Sequence, residues 1–377
     1  MKSITGSIAL ALCCNTLIFQ AEGFANFHVN TVVPTSTSTT TLHESLTSLP
    51  KGISPFEKSL SKSLDIQQQF RQIAKSAVQK AIDERGSTSS PLLLELEFPP
   101  LLGGDSSKSQ FDDFDNIQEL DANKDFAMQF APLFLDSVKN TNVYNDGRTW
   151  LIFPDLKECE LAKKEWQGSK YQAATFTTIE AATEFLVGKG SYDAPWGAAI
   201  ANGVNSLMGG KKGEDGSSDA GLLGDTRALD KLVQGENAPS ALNIVIQPGN
   251  GGPVEDWINC EKIHEANTES TMVIVNGALD KVRDGYYPAV FFPKLAATVD
   301  RFYKRFDSAF YLKPITDKGI YGWLFRVYGE PWQIYLQTVE TKNGSQYVED
   351  RLVMTSDTRP SYQEAVAKML EFQRNLV

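Results

Sequence analysis

Between residues 92 and 275, short apolar runs alternate with helix-patterned segments, and that rhythm constrains the fold more than any other feature. The runs are 92–98, 150–153, 174–177, 242–246 and 271–275. Runs this short and this continuously apolar suit strands buried on both faces. The segments between them have helical spacing, as over 158–166 and 181–186. Alternation of this kind predicts a parallel or mixed sheet covered by helices.

The flanking segments add to this frame. Upstream, Ser54, Pro55 and Glu57 form a helix start, with Ser as cap, Pro at the first helical position and Glu completing a capping box. Apolar residues recur at helical spacing from Phe56 to Ala81, and Gly86 is a natural stop. Residues 103–125 are acidic, and Asp121, Asn123 and Asp125 have the spacing that opens a calcium loop. Phe126 stands where that loop needs Gly and Pro132 where it needs Glu, so a solvated acidic loop is the reading. A helix is expected over 126–139. Residues 188–226 hold 10 of the 28 Gly and read as a flexible insertion. After a helix over 294–306, β-rich runs at 310–315, 322–328, 332–339 and 347–354 predict an antiparallel meander. Ser361 and Glu364 start a final capped helix. The expected fold is therefore α/β. It is a single domain with a mixed, largely parallel sheet flanked by helices, ending in a C-terminal antiparallel meander.

The first 50 residues belong to a different category. Lys2 precedes an uncharged stretch from Ser3 to Phe19, and the small residues Ala21 and Gly23 follow it. This is the pattern of a secretory signal over 1–23, and the stretch is short for a bilayer span. Residues 24–50 contain 11 Ser or Thr and a single acidic residue. Such a tract cannot bury a core and is expected to be disordered. The domain proper is then 51–377, with no transmembrane segment in it.

Composition narrows the function classes. The chain has 36 Lys or Arg against 47 Asp or Glu, a net charge of -11, which does not suit phosphate neutralisation and so excludes nucleic acid as a partner. Of 3 His, only His264 lies beyond residue 50, which leaves nothing for a His-rich metal site or a His-based triad. Cys159 and Cys260 are the only Cys in the domain, too few for a disulfide framework and consistent with a reducing compartment.

Three segments carry a resemblance. They are Gln68 to Leu102, with its helix, Gly turn and Glu97-Phe98-Pro99-Pro100 strand end; Trp150 to Asp155 with Trp166; and Trp323 to Trp332. Together they resemble a plastid and cyanobacterial domain-of-unknown-function family. It includes the plant low photosystem II accumulation protein 3 and also occurs appended to a chloroplast adenylate kinase. Gly329 stands where that family more often has Pro. The resemblance covers about residues 65–375 without the Gly-rich insertion. It implies a stromal auxiliary factor in photosystem II or thylakoid complex assembly, with a photosystem II core subunit as partner. It implies no catalytic residues and no cofactor. The N-terminus is similar to the bipartite plastid presequence of algae with secondary plastids, in which Phe follows the signal cleavage site as Phe24 does here. That tract usually carries basic residues, and none occurs here before Lys51. Ordinary secretion is the alternative.

The candidate sites are few, and each has a plain structural alternative. Gly249, Asn250, Gly251 and Gly252 join a buried strand to a helix, so their amides would face an anion at the carboxyl edge of the sheet. Pro253 lacks a donor and Glu255 and Asp256 repel phosphate, so a tight turn explains the run equally. Asp155 and Asn276 lie at strand ends on the same edge, where Asp155 could bind a ligand or cap the next helix. Arg326 could bind a partner's carboxylate or phosphate, or pair with a local acid. Lys294, Arg301, Lys304 and Arg305 interleave with aromatics, and their helix would turn Phe302 and Phe306 to the core and the cations outward. That basic face, with Trp332, is the expected partner or membrane surface, an ordinary amphipathic helix being the alternative. His264 is expected at the surface. Cys260 shares its helix face, but the flanking acids oppose a thiolate. Gly103 to Ser109 lacks the spacing of a phosphate loop. No catalytic constellation and no metal site emerges. A small-ligand or nucleotide-phosphate binding module using the carboxyl-edge loops is the rival reading.

Overall fold

The computed structural model describes residues 46–50, 64–85, 92–99, 149–167, 174–195, 240–249, 254–317, 319–342 and 344–376. The expected presequence, the helix start at Ser54, the Gly86 stop, the acidic loop, the 126–139 helix, most of the Gly-rich insertion, and Asn250, Gly251 and Gly252 lie outside the described residues.

Nine strands form one sheet in the order β3-β2-β4-β5-β1-β6-β7-β8-β9. The strands are β1 (Leu93–Glu97), β2 (Thr149–Phe153), β3 (Ala174–Thr178), β4 (Leu242–Ile246), β5 (Thr271–Val275), β6 (Asp307–Asp317), β7 (Ile320–Val327), β8 (Trp332–Lys342) and β9 (Ser345–Ser356). Pairing is parallel from β3 to β6 and antiparallel from β6 to β9. The mixed α/β sheet with its terminal meander is the architecture that the alternating pattern and the late β-rich runs require.

The described helices are α1 (Leu64–Arg85), α2 (Leu156–Glu165), α3 (Ile179–Val187), α4 (Glu255–Ala266), α5 (Leu279–Arg283), α6 (Pro293–Arg301) and α7 (Tyr362–Asn375). Two local features depart from the sequence pattern. The segment after Asn276, which carries no helical pattern, contains the helix α5; at five residues it is too short to show a period. The helix expected over 294–306 ends at Arg301, and a 3-10 turn over Tyr303–Arg305 carries the chain into β6. Phe302 and Phe306, which flank that turn, are nevertheless buried.

Alternation along the strands builds two faces. Leu94, Leu96, Leu151, Ile244 and Val273 pack with α1 and α2 on one face. On the other, Leu93, Ile152, Val245 and Ile274 pack beneath α3, α4, α5 and α6. Tyr311, Ile315, Leu324 and Ile334 pack beneath α7. Glu95 pairs with Ser308 and Glu97 with Tyr311 in the β1–β6 register, so both Glu side chains share the face of Leu93 and Tyr311. The helices α3–α6 and α7 therefore cover one face in two groups, with a seam between them over β1 and β6.

The folded unit begins at Leu46, so it takes in the last residues of the tract expected to be disordered. The Thr47 amide and hydroxyl donate to the Glu330 carboxylate at 2.9 and 2.6 Å, and the Gln333 amide donates to the Thr47 carbonyl at 3.1 Å. Leu49 is buried in the core beside them. No helix among the described residues is long and apolar enough to cross a membrane.

Candidate functional site

At the carboxyl edge of the parallel strands, each strand end positions a polar side chain. Asp155 caps α2, accepting from the Glu158 amide at 2.9 Å. Asn276 has φ +47, and its side chain accepts from the Phe98 amide at 2.9 Å and donates to the Phe98 carbonyl at 3.1 Å. It thereby fastens the end of β5 to the end of β1. The Gly249 amide donates to the Asp256 carboxylate at 2.9 Å, so an acid of the chain's own occupies this part of the turn. Asp256 is buried, and burial pushes its pKa up to about 7. The Gly249 amide drawn onto it opposes that shift, and Glu255 and Asp155 add to it.

The cations of the expected basic face are largely engaged. Arg301 reaches the buried Glu261 carboxylate through two nitrogens at 3.0 and 2.7 Å, and Thr298 donates to the same group at 2.6 Å. Lys304 pairs with Asp300 at 2.6 Å and Lys294 with Asp193 at 3.6 Å, while Arg305 is exposed. His264 is buried, contrary to the surface position expected for it. It stacks on Phe302 at 5.2 Å, and burial first, then Arg305, lowers its pKa. The reason is that α4 is packed between α3 and α6, a placement its own sequence does not encode. Cys159 and Cys260 are both buried and free, and they lie on opposite faces of the sheet.

The densest set of charged groups lies in the seam between the two helix groups. Glu95 is wholly buried, and one of its oxygens accepts from Arg283 at 2.7 Å and from Ser308 at 2.8 Å. Its second oxygen has no hydrogen-bond partner among the described residues. Burial works to raise the Glu95 pKa, but Arg283, then Arg359, overcome it and hold the group below the ordinary carboxylate value. Arg283 is itself fixed by the Tyr303 carbonyl at 2.8 and 3.2 Å.

Two residues along β1, Glu97 behaves oppositely. Burial drives it up to about 8; Lys313 opposes the shift, and the Asp280 and Glu95 carboxylates add to it. Lys313 is hydrogen-bonded to Asp280. Arg359, on the link between β9 and α7, places its guanidinium over the rings of Tyr311 at 5.4 Å and Trp332 at 5.8 Å. Arg326 stacks on Trp332 at 5.2 Å. Trp332 is therefore buried beneath two cations, and of the named candidates Arg326 and Trp332 are the pair that the fold brings into this cluster.

Two carboxylates pushed in opposite directions, one by burial and one by Arg283, thus lie toward the carboxyl end of a parallel strand, the edge at which open α/β sheets place ligands. Sequence reasoning did not single out Glu95, Glu97, Asp280, Arg283, Lys313 or Arg359. The signal available was two Glu at alternate positions of an otherwise apolar strand, which places both on one face. Among the described residues, no group of three or more His, Cys, Asp or Glu side chains could hold a metal.

Two apolar surfaces are left uncovered by described residues. One is the β8–β9 hairpin, where Val339, Tyr347, Val348 and Leu352 are exposed; the other is the α5–α6 loop, where Tyr286, Val290 and Phe291 are exposed.

Fold and seam together define an α/β protein with a mixed, mostly parallel sheet and a charged joint between the two helix groups that cover one of its faces. The chain matches the model of the domain of unknown function DUF1995 over residues 65–367 and belongs to that family. Comparison with curated proteins and with solved structures finds no match.

Proposed function

We propose that this chain is a non-enzymatic plastid protein that assists the assembly of photosystem II or a related thylakoid complex, with a core subunit as its partner. The family-level resemblance of three segments supports this reading. So does the N-terminus, whose bipartite form would deliver the chain to the stroma. The structural observation that carries it is the β8–β9 hairpin. β9 ends the sheet and has one strand neighbour, so its other edge offers unpaired backbone groups among the described residues. Val339 faces Val348 across the hairpin, and Leu352 lies four residues further along the same face. A free edge beside an apolar stripe accepts an extended segment of another protein, with backbone bonds giving affinity and side chains giving selectivity. The charges of Glu349 and Arg351 and the irregular register near Tyr335 discourage indiscriminate pairing.

The test is co-purification of the tagged chain with thylakoid assembly intermediates, beside a Val348→Lys variant. Wild type retains those intermediates; the variant loses them with an unchanged melting temperature. Recovery of wild type only as free protein, with normal photosystem assembly in a knockout, sinks the reading. A fluorescent fusion of residues 1–55 tests the address: plastid fluorescence supports it and secretion overturns it.

The seam favours a second reading, a small-ligand or nucleotide-phosphate binding module or weak enzyme, because burial pushes the Glu97 pKa up to about 8 and one buried Glu95 oxygen has no partner among the described residues. A thermal-shift screen with nucleotides and sugar phosphates decides it. Binding to the native state must raise apparent stability, so no shift at millimolar ligand removes this alternative.

A further inference from the structure

The loop between α5 and α6 holds large apolar side chains in water on an ordered base. Tyr286 is 70% exposed, Val290 87% and Phe291 75%. Gly285 turns the chain with φ +81, and the Tyr286 amide donates to the Lys281 carbonyl at 3.3 Å. The Phe291 and Phe292 amides both donate to the Pro288 carbonyl, at 2.9 and 3.0 Å. Beneath them the Tyr287 ring packs against Trp257 at 5.4 Å, Phe292 at 5.4 Å and Tyr286 at 5.0 Å. Trp257 is buried, and its indole N–H is held by the Gly277 carbonyl at 3.0 Å. The backbone and the inner aromatics thus fix a turn whose remaining side chains project outward.

We infer that this turn is a membrane-contacting wedge, with Tyr286, Val290 and Phe291 entering the interfacial region of a bilayer that carries anionic lipid. The inference goes beyond the assembly reading and stands whether or not a photosystem subunit is the partner. Two observations favour a lipid surface. An apolar Val290-Phe291 tip beside a Tyr is the side-chain order of the interface, hydrocarbon deepest and hydroxyl at headgroup depth. Two cations lie at the base: Lys281 is exposed, and Lys294, although 3.6 Å from an Asp193 that it shares with Lys262, keeps its side chain 75% exposed. The nearest acid of the loop, Asp284, lies 4.0 Å from the Arg359 guanidinium. Such a local balance is unusual in a chain of net charge -11 and complements an anionic surface.

The test uses the full chain and vesicles of phosphatidylcholine with phosphatidylglycerol. The apolar stretch 3–19 would itself bind vesicles and the chain has 6 other Trp, so each readout is the difference between a loop variant and wild type under the same conditions. A Phe291→Trp variant is expected to blue-shift its emission with vesicles and to be quenched by lipids brominated along the acyl chain. A Val290→Ser/Phe291→Ser variant is expected to lose at least tenfold in vesicle partitioning while its thermal melt stays unchanged, since both positions are exposed. An unshifted, unquenched Trp at 291 overturns the proposal. So does vesicle partitioning of the double Ser variant equal to that of wild type.

Discussion

Gly249 shows how one residue fixes the carboxyl edge. Its φ is +77, and a Cβ there would lie 2.5 Å from the Trp257 ring. Gly249→Ala therefore combines backbone strain with a clash against a buried indole and should cost about 2–4 kcal/mol in urea unfolding. Glu95 and Arg283 illustrate a second kind of dependence. Arg283→Ala removes the hydrogen-bonded cation from a carboxylate in the core, leaving Ser308 as its donor and Arg359 as the remaining charge, and should destabilise by about 3–5 kcal/mol. Glu95→Leu/Arg283→Leu should cost less than the single change, because no charge is then stranded. Equal or greater loss in the double variant would show that the pair contributes more than it costs to desolvate.

At the scale of elements, legibility followed the strength of the local code. The last helix was readable because Ser361 and Glu364 make both reciprocal capping bonds, at 3.2 and 2.7 Å. Ser361→Ala should cost about 1 kcal/mol and loosen α7 over the antiparallel strands, measured by amide exchange along α7. The strands were readable because five apolar runs leave few other ways to be buried. The helix α5 was not, since a single turn has no period, yet it delivers Asp280 and Arg283 to the seam. The expected basic helix face was right in its orientation, with Phe302 inward. Its cations meet Asp193, Glu261 and Asp300, two of which come from other segments that no local pattern could align.

The whole molecule should respond to pH through its buried carboxyls. Burial raises the folded pKa of Glu97 from 4.5 to about 8 and that of Asp256 from 3.8 to about 7. The folded state then binds more protons than the unfolded chain between those limits, so stability falls as pH rises through them. The carboxyls shifted the other way, Glu95 and Asp280, lose their contribution only as pH falls below the ordinary carboxylate range, while His264, held below 6.5 by burial, partly offsets the fall on the acid side of that value. The melting temperature should therefore decline from about pH 5 to pH 8.5, and the decline should be shallower in Glu97→Gln, whose side chain is neutral throughout. A profile that is flat or rising for wild type over that range would contradict the placement of Glu97. Cys159 and Cys260, on opposite faces of the sheet, should form no bridge, as peptide mapping under non-reducing conditions would verify.

The sequence by itself determined the fold class, the places where strands and long helices form, the acidic surface and the scarcity of His and Cys. These follow from composition and from periods of 2 and 3.6, which are local properties. Only the tertiary structure decided which charges meet. Glu95, Arg283, Ser308, Lys313 and Arg359 come from separate strands, a one-turn helix and a link. They converge because β6 crosses beyond β5 to pair with β1, and because α7 covers the sheet beside α5. Burial, which drives Glu97 up and which Arg283 and Arg359 must overcome at Glu95, is likewise a property of what lies above a residue and not of its neighbours in the chain.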